Sequence, residues 1–341
     1  MSNDLPPGIV LILGQRDVRE LLTMRACMDA MAAALRSLAQ GQVILPLRPV
    51  MWLPDKFGAL GMMPAHSAAL DRFGVKVVSV FPSNHGTPYD AHQGTVMLFE
   101  AKHGRLLALM DATEITAIRT AAVSGVATQT LANPEAGDLA ILGSGTQART
   151  HLRAMAEART LGRIRVWSRS EANARAFAAR EAKTLPIAIE VCDTARAAVA
   201  GADLICTTTS SPEPVLLGEW LAPGVHINAV GSSVAHAREL DAAAMSRGRL
   251  YVDRRESTLN ESGDFLMAKR DGALTDASIQ GELGEVLLGS RPGRVTAAEI
   301  TIFKSLGIAI EDLASAEFLY RRALALGAGQ RVEMGGGRLE E

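Results

Sequence analysis

The segment DLAILGSGTQARTH, residues 138–151, constrains this 341-residue chain more than any other. An apolar run from Leu139 to Leu142 reads as a buried strand. It meets Gly143-Ser144-Gly145, and Thr146-Gln147-Ala148 then opens a helical pattern. In a GxGxxA turn the first glycine allows the tight bend, the second lets backbone approach a pyrophosphate, and the small third residue lets helix pack closely on strand. Free N–H groups and the helix dipole favour an anion at such a helix start. The turn alone is a weak signal, and its place at the head of a β-α-β run is what marks it as a dinucleotide site. A tight turn without a ligand is the alternative.

That run extends over about 138–253, where strands (LAILG, IRVWS, AIEVC, DLICTTT, HINAVG, RLYVD) alternate with helical patterns at 148–160, 171–184 and 194–200. Such alternation predicts a parallel sheet with helices on both faces. Residues 41–110 differ: short β-rich runs broken by Gly, Pro, Asn and Asp predict an antiparallel sheet. Residues 17–40 read as one amphipathic helix. ITAIRTAAVSGVATQTLA reads as another, capped by Thr113 or Asp111 and stopped at Asn133-Pro134. Residues 299–326 read as one long helical pattern, and the tail after Gly327 as frayed. The expected fold class is α/β: a Rossmann-type doubly wound parallel sheet, residues 122–300, inserted into an α+β domain of residues 1–121 and 301–341.

Lys+Arg (35) and Asp+Glu (37) nearly balance and no polybasic run occurs, which argues against nucleic acid and against a membrane surface as partners. The apolar run Ile9 to Leu13 is too short for a signal peptide or a membrane span. Cys27, Cys192 and Cys206 lie too far apart for a zinc motif, so no metal site is read. Their odd number argues against a disulfide framework and fits a reducing cytoplasm.

The end of the second strand separates the two nicotinamide cofactors. An acid there binds the ribose 2′-OH of NAD, and an arginine accommodates the 2′-phosphate of NADP. The chain has Ser168-Arg169-Ser170, with no acid before Glu171. NADP is therefore expected, with Arg169 on the phosphate; a solvated Arg169 with NAD also accepted is the alternative. Thr207, Thr208 and Thr209 end a later strand, and Val230 and Gly231 the next, on the side where ligands of such sheets lie. For the threonines, a polar strand-end loop is the other reading.

Three cations stand in apolar surroundings: Arg48 in ILPLRPV, Lys76 in FGVKVVSV and Arg119 in ITAIRTAAVSG. A charge so placed is costly unless it is paired or functional, although each alone could be a snorkelling side chain. Together with LGMMPAHSA, HQGTVMLFE, ILGSGTQARTH, HINAVGSSVAHARELD, ESGD, GELGEV and IFKSLGIAIEDL, in this order, they give the chain a resemblance to the ornithine cyclodeaminase/μ-crystallin family. The resemblance spans residues 40–320.

The resemblance implies a homodimer whose non-nucleotide domains pair, and a substrate site in a cleft beside the Rossmann domain. It implies that Arg48 and Arg119 grip the substrate α-carboxylate and that Lys76 is the active-site lysine. His92, in AHQGTV, falls where the family lines the cleft, and Lys304 in IFKSLG is expected to help seat the cofactor from the returning helix. Cyclodeaminases of the family carry an aspartate in the turn after the INAVG strand, where this chain has Ser233. A hydroxyl cannot hold an ammonium by charge or act as a carboxylate base, and the nearest acids, Glu239 and Asp241, are read into the next helix. The resemblance therefore points to an NAD(P)H-dependent imino-acid reductase or amino-acid dehydrogenase, with hydride moving between nicotinamide C4 and the imine α-carbon. A cyclodeaminase-type lyase with bound NAD, or a non-catalytic NADPH-binding protein, are the alternatives. Glu256 and Glu261 to Asp264 are read either at the cleft mouth or as helix caps.

Overall fold

A computed structural model describes residues 4–84 and 86–336. The chain divides into two compact units, Met1–Arg119 with Ile308–Glu341, and Thr120–Gly307.

The first unit is built on one sheet. Its strands run Gln330–Glu333, Ile9–Leu13, Leu106–Asp111, His92–Glu100, Arg72–Val80, Ala59–Ser67 and Val43–Ile44, and Val50–Trp52 also pairs with Ala59–Ser67. Pairing is antiparallel except between Ile9–Leu13 and Leu106–Asp111, which are parallel. The tail expected to fray instead forms the edge strand Gln330–Glu333, registered Ile9 to Glu333; residues 337–341 lie outside the described residues. The single helix expected over 17–40 is two, Gln15–Leu21 and Met24–Ala39, because the Thr23 hydroxyl accepts the Ala26 N–H and starts a new helix.

The second unit holds an eight-stranded sheet in the order Ile189–Val191, Arg163–Trp167, Asp138–Leu142, Leu204–Thr207, His226–Ala229, Thr301–Lys304, Arg249–Val252 and Ile279–Glu282, every pair parallel. Strand order reverses between Asp138–Leu142 and Leu204–Thr207. In open parallel sheets ligands bind beyond the strand ends at such a switch point. Helix Ala112–Leu131 crosses the boundary between the units, and the Asp111 carboxylate caps it by accepting the Glu114 N–H at 2.8 Å.

The pattern read as one helix over 299–326 is a buried strand, Thr301–Lys304, followed by helix Ala309–Leu326. The strand fills a central place in the parallel sheet, so the chain leaves the second unit at 307/308 rather than at 300/301. Lys304 thus stands on a strand, not on the returning helix. Its ammonium is fully buried, 2.9 Å from Asp264 Oδ2, and donates to Ala229 O at 3.2 Å. Asp264 Oδ1 in turn accepts the N–H groups of Glu239 and Leu240 at 2.7 and 3.0 Å. Asp264→Ala strands a buried ammonium, so urea denaturation of that variant should show a loss of about 3–5 kcal/mol. Lys304→Met with Asp264→Leu should recover part of the loss, and equal stability of wild type and Asp264→Ala would remove the strut.

Candidate active site

In the first unit, charge collects along one strand. Side chains alternate on a strand, and Arg72, Gly74 and Lys76 are the buried set of Arg72–Val80. Helix Ala309–Leu326 lies along them. Glu317 Oε2 accepts from Arg72 Nε at 2.9 Å, and Asp312 Oδ1 from Lys76 Nζ at 3.0 Å. Between these contacts a Cβ on Gly74 would come 2.5 Å from Met97 O of the neighbouring strand and 3.1 Å from Leu313 Cδ1 of the helix, so a side chain would be crowded there from both.

The Lys76 ammonium, in a residue 3% exposed, also donates to Thr116 Oγ1 at 3.2 Å. Arg119, on helix Ala112–Leu131, donates from Nε to Asp312 Oδ1 at 3.0 Å and from Nη1 to Glu311 Oε2 at 2.8 Å. One carboxylate oxygen therefore accepts from both cations. Burial, with the Arg119 guanidinium nearby, lowers the Lys76 pKa to about 8 against the pull of Asp312; Arg48 lowers it further. Burial pushes the Asp312 carboxyl up, but Arg119 and Lys76 outweigh it and hold it below the usual carboxylate range. Burial also opposes the charge on Arg119, which Asp312 and Glu311 more than restore. The arrangement yields a lysine that exchanges a proton near neutral pH beside an arginine that stays charged.

Of the residues read as substrate ligands, Lys76 and Arg119 meet on Asp312. Arg48 is half-buried between strands Val43–Ile44 and Val50–Trp52. His92 is the exposed first residue of its strand, its N–H donating to Asp90 Oδ1 at 2.9 Å. Asp312 and Glu311 were missed by the sequence reading. Their signal was the one that revealed the cations: adjacent charges in the apolar stretch GIAIEDLASA.

In the second unit the glycine turn has the form its sequence predicts. Gly143 has φ +122°, and a Cβ there would lie 2.7 Å from Thr208 Oγ1 and 2.8 Å from Thr208 O. A Cβ on Gly145 would meet nothing within 4 Å. Gly145 is the N-cap of helix Thr146–Ala158, with Gly145 and Thr146 exposed and Gln147 half-buried, so the first N–H groups of the helix face open space. Ser144 Oγ donates to Ser168 Oγ at 3.0 Å, joining the ends of neighbouring strands, and Arg169 is exposed next to it. Ser170 caps the following helix by accepting the Asn173 N–H. An open helix start behind two glycines, at the switch point and with a cation at the second strand end, fits a dinucleotide.

The strand-end threonines are engaged by the protein itself. Thr207 Oγ1 donates to Glu239 Oε2 at 2.7 Å, Thr208 Oγ1 to Leu142 O at 3.1 Å, and Thr209 Oγ1 to Glu239 Oε1 at 2.7 Å. Glu239 also accepts the N–H groups of Thr209 and Gly231, both at 2.6 Å. Gly231 has no room for a side chain, since a Cβ would lie 2.1 Å from Thr209 O, and Val230 beside it is buried. Glu239 is not in the next helix, which begins at Ala242 with Asp241 as its cap. Burial and the neighbouring Asp264 raise the Glu239 pKa, opposed by Lys304 and the threonine hydroxyls. Ser233 is half-buried in the loop these contacts hold, where Ser232 Oγ donates to Ala237 O. Ser262 is a helix cap, accepting the Phe265 N–H, and Asp264 lies in the core.

The family model for the ornithine cyclodeaminase/mu-crystallin family matches residues 10–327. Ketimine reductase mu-crystallin of Mus musculus is 43% identical over 84% of this chain and 89% of its own length. The structure of Thermococcus litoralis Delta(1)-pyrroline-2-carboxylate reductase in complex with NADH and L-proline superposes with TM-score 0.92 at 37% identity, covering 95% of this chain and all of that one. An archaeal alanine dehydrogenase dimer with bound NAD gives TM-score 0.90 at 31% identity, over 95% of this chain and 99% of that one. Replacing Gly143 by Ala forces a side chain into positive φ and against Thr208, a strain of about 1–3 kcal/mol. Fluorescence titration of the variant should show nicotinamide nucleotide binding weakened about tenfold or more; unchanged affinity would mean that the turn does not shape the site.

Proposed function

The chain belongs to the ornithine cyclodeaminase/mu-crystallin family, and from that premise we propose that it is an NAD(P)H-dependent reductase of small imino acids, the C=N–carboxylate class. The observation that carries this reading is the buried Lys76 ammonium, poised to exchange its proton near neutral pH beside Arg119. A storage role needs neither feature. Arg119 and Arg48 hold the substrate carboxylate, for which planar guanidinium forks are the matched partner. Nζ of Lys76 gives a proton to the imine nitrogen, making the carbon electrophilic. The reduced nicotinamide, when bound, supplies the hydride that this carbon accepts, and the product is the amino acid. The glycine turn and the helix start at Thr146 hold the pyrophosphate, and Arg169 favours NADPH through the 2′-phosphate while leaving NADH usable.

Purified protein should oxidise NADPH with Δ1-pyrroline-2-carboxylate, Δ1-piperideine-2-carboxylate, or pyruvate with methylamine, and do so faster than NADH. Lys76→Ala should lose turnover while still binding NADPH, and Arg169→Ala should narrow the preference for NADPH. Because the proton donor is the charged lysine, the rate should fall as pH rises through about 8. Ammonia release from ornithine with no net cofactor change would favour the lyase reading, and NADPH binding without turnover on any imine would favour a binding role.

The same reading makes the chain a homodimer through its first unit, where Ile44, Val50, Met51, Trp52 and Phe57 are exposed together around one sheet edge. Sedimentation should give a dimer that Met51→Asp with Trp52→Asp splits; a monomeric wild type would end this reading. Three buried free thiols, Cys27, Cys192 and Cys206, support a cytoplasmic site of action, which cell fractionation checks.

A further inference from the structure

Arg119 and Lys76 come from different elements, and neither is placed by its own element alone. Lys76 stands on strand Arg72–Val80 and Arg119 on helix Ala112–Leu131. What they share is Asp312, on a third element, whose Oδ1 lies 3.0 Å from Lys76 Nζ and 3.0 Å from Arg119 Nε. Asp312 Oδ2 is 2.9 Å from the same ammonium, and the side chain is 1% exposed. We propose that Asp312 is a positioning residue, whose carboxylate fixes the Lys76 ammonium and the Arg119 guanidinium in one buried constellation and so sets where the proton donor and the carboxylate clamp stand. The inference rests on the reductase reading of Lys76 and Arg119.

The geometry gives each contact a separate task. A lysine has four rotatable side-chain bonds and three donors. Thr116 Oγ1 takes one of those donors, and Asp312 holds the ammonium with both carboxylate oxygens within 3.0 Å, so its position is fixed from two elements. Arg119 engages Nε on Asp312 and Nη1 on Glu311, so two carboxylates on consecutive residues fix the plane of the guanidinium. The remaining edge is presented in one orientation, as bidentate recognition of a carboxylate requires. Register fixes Asp312 itself: the same helix is tied to the same strand by Glu317 on Arg72, with Leu313 against Gly74 between them.

Charge gives Asp312 a second effect. The groups that act on the Lys76 ammonium are Arg119 and Arg48, which disfavour its proton, and Asp312, which favours it. Removing the carboxylate takes away the group that favours the proton, while burial and the two arginines still disfavour it, so the lysine should lose its proton at lower pH. A residue that only packed the helix would not move that titration.

The test combines two measurements on Asp312→Asn. The pH profile of kcat/KM for imine reduction should keep its shape, but its basic limb should move down by about one pH unit or more. KM for the imino acid should rise as Arg119 loses half of its support. Independently of activity, 13Cε-lysine NMR of the substrate-free protein, with Lys76 assigned from a Lys76→Arg sample, should show the Lys76 titration moving down by the same amount. Asp312→Glu, which keeps the charge, should restore most of both. If the Lys76 titration stays where it is in wild type, the proposal is overturned. If it moves while the activity profile does not, Asp312 keeps its role and the proton-donor reading of Lys76 falls. Should the Asn variant not fold, the wild type decides: the 13Cγ resonance of Asp312 must show an inflection at the pH where Lys76 titrates, and its absence overturns the proposal.

Discussion

A buried positive charge is costly unless a carboxylate goes into the interior with it, and two of the buried cations of this structure show what such pairing does. Lys76 and Lys304 are 3% and 0% exposed, and each is matched by an aspartate from a distant part of the chain, Asp312 and Asp264. The pairs do different work because their surroundings differ. Lys304 donates onward to a strand carbonyl, and Asp264 relays through the backbone of Glu239 to the ends of two strands. That network has few alternative arrangements and fixes the loops where the sheet order reverses. Lys76 instead lies beside a second cation, Arg119, which adds to burial in disfavouring its proton against the pull of Asp312. Burying ion pairs is seldom the most stabilising use of a core.

The two clusters of candidate residues were unequally legible in the sequence. Gly143 announces itself because only glycine suits a positive φ against Thr208, and Gly145 because it completes the GxGxxA spacing at the helix start. Arg48, Lys76 and Arg119 were visible because a cation in apolar sequence is costly unless it is paired or functional. Glu311 and Asp312 obey the same logic but sit in the first turn of a helix, where acids are ordinary and stabilise the helix dipole. Only the docking of that helix along Arg72, Gly74 and Lys76 turns them inward, and docking is a property of pairs of elements. Glu239 was hidden differently: in ARELD it reads as the start of a helix, whereas the helix begins three residues later and leaves its carboxylate to gather Thr207, Thr209 and Gly231.

The same distinction runs through the fold. The alternation over 138–253 predicts the parallel sheet and its helices because apolar strand runs and helical patterns recur in regular succession, even where a strand such as Leu204–Thr207 has four residues. Thr301–Lys304 is four residues long and runs into apolar sequence with helical spacing, so local pattern assigns it to the helix that follows. Its neighbours in the sheet, His226–Ala229 and Arg249–Val252, are far away in sequence and supply the hydrogen bonds that make it a strand. Gln330–Glu333 is exposed at every position and carries no apolar period at all; pairing with Ile9–Leu13 alone defines it.

Ser233 ties the architecture to the direction of the chemistry. A ring-closing deamination of a diamino acid must bind a second ammonium and take a proton from it, which calls for a carboxylate close to the reacting carbon. The loop that would supply it contains Ser232 and Ser233, and the acid next in sequence, Glu239, is committed to Thr207, Thr209 and Gly231. Its recruitment would leave those two strand ends without their common acceptor. Reduction of an imine needs no such base. It needs a carboxylate grip, a proton for nitrogen and a hydride, the first two being the roles proposed above for Arg48, Arg119 and Lys76. At residue 233 this chain has a hydroxyl, and the buried Glu239 is engaged by Thr207, Thr209 and Gly231 rather than turned to that loop.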